Sequence, residues 1–260
     1  MIRDQETINA LVDIIERFVR ERLIPAEDQM AEEGKLPDDL LQEMRELGLF
    51  GLTIPEEYGG LGLTMEEEIL VSMALGHTSP AFRSIMGTNN GIGSAAIVFN
   101  GTEAQKQKYL PKYASGEWIS CFCLTEPEAG SDAASLRTTA RRDGDHYVIN
   151  GTKRYITNAP VAHTFNVMAR TDPEVKGARG ISSFIVERDT PGITLGSIDK
   201  KMGQSGSMTC DVIFEDVRVP AENIIGEEGE GFITAMKVLD RGRLHISGVS
   251  IGVAKRLIAD

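Results

Sequence analysis

The sequence predicts a multi-domain α and β protein, with an all-helical N-terminal domain over residues 1–117 and an antiparallel β-barrel or sandwich domain over 118–228. The first helix of a truncated C-terminal helical domain follows over 229–260. Three observations carry this. Apolar residues recur at helical spacing through the first part, short β-rich segments follow from Trp118, and the helical period returns after the glycines of IIGEEGEGF.

The elements follow in order. Leu11, Ile14, Ile15, Phe18 and Val19 form one apolar stripe at i, i+3, i+4, i+7 and i+8, expected to stop before Pro25. Leu40, Leu41, Met44 and Leu47 repeat the pattern, with Gly48 as the stop. Thr64 with Glu67, and Thr102 with Gln105, have capping-box spacing and open two further helices; residues 80–100 read as helix despite their glycines. The segments WISCFCL, HYVINGTKRYIT, TFNVMAR, SSFIVER and CDVIFEDVRV read as strands. Asn150-Gly151 predicts a hairpin turn inside the second of them, since both turn positions favour positive φ. The last segment, from Phe232, reads as an apolar helix with little to pack against after a β domain.

Composition narrows the function. A chain of 260 residues with 41% hydrophobic content buries a core without staples, and no apolar run reaches the roughly 18 residues a membrane span needs. The acid-rich start lacks the basic and apolar blocks of a signal peptide, so a soluble, cytoplasmic protein is expected. A net charge of -12 counts against nucleic acid as a partner. Three cysteines without a CxxC pair and four scattered histidines predict no metal site; Cys121 and Cys123 share one strand face as buried thiols. Gly91-Ile-Gly93-Ser-Ala-Ala96 fits a dinucleotide pattern but follows a helix where a strand is required, and reads as close helix packing. The sequons at Asn100 and Asn150 have turn or helix-end explanations.

One loop stands out. In CFCLTEPEAGSDAAS, residues 121–135, a strand ends in a polar loop that offers freed backbone N–H groups, the hydroxyls of Thr125 and Ser131, and a glycine permitting close approach. Such groups suit the edge of a flat heteroaromatic ring and a pyrophosphate. The segment resembles the acyl-CoA dehydrogenase signature at every position. IPEEYGGLGL at 54–63, DGDHYVINGTKRYITNA at 143–159 and KMGQSGSMTCDVIFEDVRVPAENIIGEEGEGF at 201–232 resemble the same family, in the same order.

That resemblance implies a helical domain, a β domain and a helical bundle, with FAD between the last two. It implies that Phe122, Cys123, Leu124, Thr125, Gly130 and Ser131 line the flavin, Thr125 at the ring and Ser131 near the pyrophosphate and CoA. Tyr155, Ile156 and Thr157 would cover the other side, Thr157 near N5; Tyr155 replaces the family's usual tryptophan. Asp240 and Arg243, at i, i+3, match the pair that meets the CoA moiety, and otherwise read as a surface ion pair. The implied reaction is α,β-dehydrogenation of an acyl-CoA thioester: a carboxylate takes the α-proton while the β-hydrogen passes as hydride to the flavin. Electron-transferring flavoprotein would reoxidise it, and a homotetramer is usual. The family's base stands deep in the bundle or directly before the arginine matching Arg243; that position is Gly242, so the base is expected beyond residue 260 and no residue here is assigned as catalytic. Two alternatives remain open: another flavoenzyme of the fold, an oxidase or monooxygenase, and a non-catalytic ligand- or DNA-binding relative.

Overall fold

The computed structural model describes residues 1–260. Helix α1 (Gln5–Phe18) opens on Asp4, whose carboxylate accepts the Glu6 N–H at 3.0 Å. Its stripe buries Ile15, Phe18 and Val19. The stop expected before Pro25 is corrected: the chain passes through a π turn (Val19–Leu23) and a 3-10 turn (Ile24–Ala26) into α2 (Glu27–Glu33). Pro25 is tolerated because it stands at the start of that turn, where an amide is not needed. Helix α3 (Asp38–Glu46) is followed by Gly48 at φ 70°, the left-handed stop the spacing predicts.

Both capping boxes form. The Thr64 N–H donates to Glu67 at 2.8 Å and opens α4 (Met65–Leu75), while the Thr102 N–H donates to Gln105 at 3.0 Å and opens α7 (Glu103–Ala114). Between them run α5 (Pro80–Thr88), a π turn (Asn89–Gly93) and α6 (Ala95–Asn100). Buried amides hold that wide turn: Asn90 donates to Leu49 O and Met86 O, and Asn89 accepts the Ser120 N–H at 2.8 Å. Gly93 lies against Ser120, where a Cβ would stand 3.1 Å from the serine Cβ, so close packing accounts for this glycine.

Burial alone would raise the Glu67 carboxyl, but the Arg3 and Thr64 amides and the Arg3 guanidinium outweigh it and hold its pKa down to about 2, against 4.5 ordinarily. Because the folded value is the lower one, this contribution to stability is complete above the unfolded value and lost as pH falls toward the folded one. Glu67→Gln should therefore destabilise the fold at neutral pH, with the gap to wild type closing as urea titrations move from pH 5 toward about 2. A gap that stays constant with pH would refute this.

Strands β1 (Ser120–Cys123), β2 (Thr139–Asp143), β3 (His146–Thr157), β4 (Thr164–Arg170), β5 (Ile181–Glu187), β6 (Ile193–Leu195) and β7 (Thr209–Pro220) form one sheet. Its order is β1-β4-β2-β3-β7-β6, with β5 beside β4. The expected all-antiparallel arrangement is corrected: β1 and β2 both run parallel to β4. Between β1 and β4 the β2–β3 hairpin supplies the long crossover that parallel pairing needs, and between β2 and β4 the strand β3 and its following turn do so. The Asn150-Gly151 turn is also corrected, because β3 runs straight through it. Gly151 occupies a register shift against β7 and lets Thr138 approach; a Cβ there would stand 2.4 Å from the threonine Oγ1. The tight turn lies earlier, at Gly144-Asp145, closed by the Asp143–His146 pair, with Gly144 at φ 64°. Cys121 and Cys123 do share a buried face, their sulfurs 3.9 Å apart.

Helix α8 (Gly231–Ala259) is not without partners. It crosses α4 so closely that a Cβ on Gly252 would stand 2.1 Å from Met73 O, and one on Gly76 2.4 Å from Val249 O. Ala235 and Val238 add contacts toward the sheet and α6. The helix-to-helix contact that the sequence leaves unassigned is thus made with the N-terminal part of the chain. No helix is long and apolar enough to cross a membrane.

Candidate functional site

The loop after β1 is built around a buried carboxylate. Glu126 closes a tight turn by exchanging backbone hydrogen bonds with Ala129, and its side chain accepts the Arg137 and Thr138 amides at 2.5 and 3.0 Å. The Lys153 ammonium, fully buried on β3, donates to Glu126 at 2.7 Å and to Leu124 O at 3.2 Å. Burial alone would raise the Glu126 carboxyl, but the Lys153 charge and these donors hold it below its ordinary range; burial pulls Lys153 down despite its partner. The Arg154 N–H donates to Thr125 O at 2.8 Å. The loop and the end of β3 are therefore fastened together twice.

The same region breaks the regular strand. Register against β7 shifts between Lys153 and Ile156, and Tyr155 takes φ 59°. Lys153 then points into the core while the Tyr155 ring, 64% exposed, turns outward. Few bulky residues hold a positive φ without support, and such strain accumulates at ligand sites. Asn158, at φ 69°, ends the strand and donates to Ile85 O at 2.9 Å, tying it to α5.

Between the two arms lies a cleft of about 280 Å³. Phe122, Leu124, Ile156, Ile92 and Leu239 give it apolar walls, with Thr125, Tyr155, Thr157 and Thr88 completing them. The hydroxyls of Thr125 and Thr157 are not spent on side-chain hydrogen bonds within the protein. Thr88, Ile92, Thr157 and Leu239 also line a second cavity of about 500 Å³, so the two spaces adjoin. Apolar walls with a few convergent polar groups, in spaces of this size, are the usual form of a small-molecule site.

The second cavity lies between α5, α8 and the segment before β7. Glu68 is its one lining carboxylate, and it is already engaged: His245 Nδ1 lies 2.9 Å away and the Arg241 guanidinium 3.4 Å away. At the mouth Arg243 pairs with the Asp240 carboxylate, and both side chains are about two-thirds exposed. Burial without an acid beside it lowers the Arg83 pKa from the ordinary arginine value.

Similarity to known proteins accords with this geometry. The acyl-CoA dehydrogenase N-terminal domain matches residues 5–117, and the middle domain of the same family matches residues 121–217. The chain belongs to the acyl-CoA dehydrogenase family. An acyl-CoA dehydrogenase of Bacillus subtilis is 40% identical over 93% of this chain and 64% of its own length. The chain thus spans about two thirds of the length of that curated relative. Of solved structures, one described as an electron transferring flavoprotein of Acidaminococcus fermentans superposes with a TM-score of 0.94 and 39% identity, over 100% of this chain and 68% of that one. An acyl-CoA dehydrogenase complexed with FAD, from Bacillus anthracis, superposes at 0.88 with 38% identity, over 98% of this chain and 43% of that one.

Against the family pattern, the structure brings Phe122, Leu124, Thr125, Tyr155, Ile156 and Thr157 to one cleft. Cys123 lies on the opposite strand face, its thiol in the sheet core. Gly130 and Ser131 stand outside the cleft, exposed on the outer part of the loop. Arg243 lines the larger cavity, and Asp240 reaches it only through Arg243. Sequence reasoning missed Thr88, Ile92 and Leu239, which reach the cleft from helices distant in sequence, and the Glu126–Lys153 pair. The acidic position was visible in the loop, but a lysine in an alternating strand gives no sign that it points inward.

Proposed function

We propose that the protein is an FAD-dependent acyl-CoA dehydrogenase that oxidises an acyl-CoA thioester to the trans-2-enoyl-CoA. One observation carries the reading: two fastened arms present free threonine hydroxyls and flat apolar walls to one cleft, which adjoins a second cavity of about 500 Å³. The residues fit the cofactor. Phe122, Leu124 and Ile156 supply apolar faces, Thr125 and Thr157 supply hydroxyls for the ring edge, and Tyr155 covers it from outside. Cys123 contributes through its place in the strand, and Gly130 with Ser131 extends toward the pyrophosphate. Arg243, oriented by Asp240, meets the phosphates of CoA at the mouth.

When bound, FAD supplies the acceptor for the two electrons removed with the β-hydrogen. The chain's own part is to hold the thioester against that acceptor and keep water from the walls. No residue of 1–260 is assigned the base, since Glu68 is held by His245 and Arg241. The same reading makes α8 the first helix of a C-terminal bundle, the protein cytoplasmic and homo-oligomeric, and electron-transferring flavoprotein its oxidant, with neither nucleic acid nor membrane as partner. Full-length protein should be yellow and should bleach anaerobically on adding a saturated acyl-CoA. Colourless protein that resists reconstitution with FAD would defeat the proposal.

A further inference from the structure

The peptide groups that leave β1 at the edge of the cleft are oriented by what their atoms bind. The Leu124 carbonyl accepts from Lys153 Nζ at 3.2 Å, and the Thr125 carbonyl accepts from the Arg154 N–H at 2.8 Å. The Glu126 N–H donates to Ala129 O at 3.0 Å. Two donors are left over. The N–H groups of Leu124 and Thr125 reach no backbone acceptor, and the loop's own carboxylate, Glu126, is taken up by Arg137, Thr138 and Lys153. Leu124 is only 7% exposed, and a buried N–H is rarely left without a partner.

Planarity of the peptide fixes where one of these donors points. In a trans peptide the C=O and N–H lie on opposite sides, and no peptide bond of the chain is cis. Lys153 is fully buried and takes no part in the cleft walls, whereas Leu124 and Thr125 do. A Leu124 carbonyl drawn toward Lys153 therefore turns the Thr125 N–H away from the strand and to the cleft side. Stability alone gives no reason for this arrangement, since a buried ammonium and carboxylate gain little over an apolar pair of the same volume. The strand is nonetheless distorted here, with a register shift beyond Lys153 and a positive φ at Tyr155.

We propose that Lys153, held by Glu126, is a positioning residue that sets the reduction potential of the bound flavin. It keeps the 124–125 peptide turned so that the Thr125 N–H donates to the flavin ring edge. Reduction adds negative charge to that edge, so a fixed donor favours the reduced form over the oxidised one. The inference rests on the FAD reading above, and its test separates the two. Two double variants of the full-length holoenzyme remove both charges together and differ in one donor. Glu126→Gln with Lys153→Met leaves the Leu124 carbonyl without a partner, whereas Glu126→Gln with Lys153→Gln keeps an amide one bond shorter than the lysine. Spectroelectrochemical titration of the first should show the preference for reduced flavin weakened about tenfold, a fall of roughly 30 mV for a two-electron couple. The second should recover part of that fall. A potential equal to wild type in the Met variant, or the same fall in both, overturns the role of Lys153 and leaves the cofactor reading intact. If neither variant retains flavin, hydrogen–deuterium exchange of the wild type decides: loading the apoprotein with FAD should slow exchange at the Thr125 amide by about tenfold or more, and unchanged exchange there overturns the proposal. Wild type that takes up no flavin overturns both.

Discussion

Glu126→Gln should cost about 3–5 kcal/mol of folding stability, the range for removing one partner of a buried ion pair. The Lys153 ammonium, with no exposure to water, would keep its charge or surrender a proton, and either outcome is unfavourable. The effect extends beyond stability, because Lys153 also binds Leu124 O and so joins the loop after β1 to the strand that carries Tyr155–Thr157. Flavin content should fall with stability. The double variant Glu126→Gln with Lys153→Met should recover much of the loss, since an uncharged pair of similar volume removes the unpaired charge while the Gln carbonyl can still accept the amides that Glu126 accepts. Urea unfolding and the flavin-to-protein ratio of all three proteins provide the check. A double variant no better than the single would show that the charge pairing is not what matters.

Gly252→Ala is expected to have the second large effect. The added methyl would meet Met73 O at 2.1 Å, and that oxygen belongs to backbone within α4, so no side chain can yield. The helices must separate or the backbone distort, at about 3 kcal/mol, the upper part of the range for overpacked cores. Because α8 carries Leu239, Arg241, Arg243 and His245 into the cavity, lifting it also displaces one wall of the site. Thermal unfolding should show a fall of several degrees together with weaker FAD retention. Ser250→Ala, on the exposed side of the same helix, should stay within about 0.5 kcal/mol of wild type. Equal behaviour of the two variants would mean that the crossing is less tight than the glycines indicate.

The contrast between what local patterns reveal and what they conceal runs through both variants. The capping boxes at Thr64 and Thr102, the stop at Gly48 and the shared face of Cys121 and Cys123 were all legible, because each depends on residues within one turn or two strand positions. Gly151 was misread for the complementary reason: its role is set by Thr138 on a neighbouring segment, and an Asn-Gly pair looks alike whether it makes a turn or admits a close contact. Pro25 misled similarly, since its place at the head of a short turn depends on how the preceding helix widens. At the site, the loop from Thr125 and the arm ending at Thr157 could be found from the residues that carry the family resemblance. Thr88, Ile92 and Leu239 could not, because they converge only through the crossing of α5 and α8.

That crossing also bears on the order of assembly. Residues 73–76 meet residues 249–252, so the pocket's final wall depends on a pairing between segments more than 170 positions apart. Loop closure over such a separation is slow relative to local helix and hairpin formation. During synthesis the early helices and the sheet emerge before α8, and their apolar faces toward it wait uncovered until residues 231–259 leave the ribosome. Ligand competence is thus a late event in the life of each new molecule, and slow translation just before codon 231 would lengthen the interval of exposure.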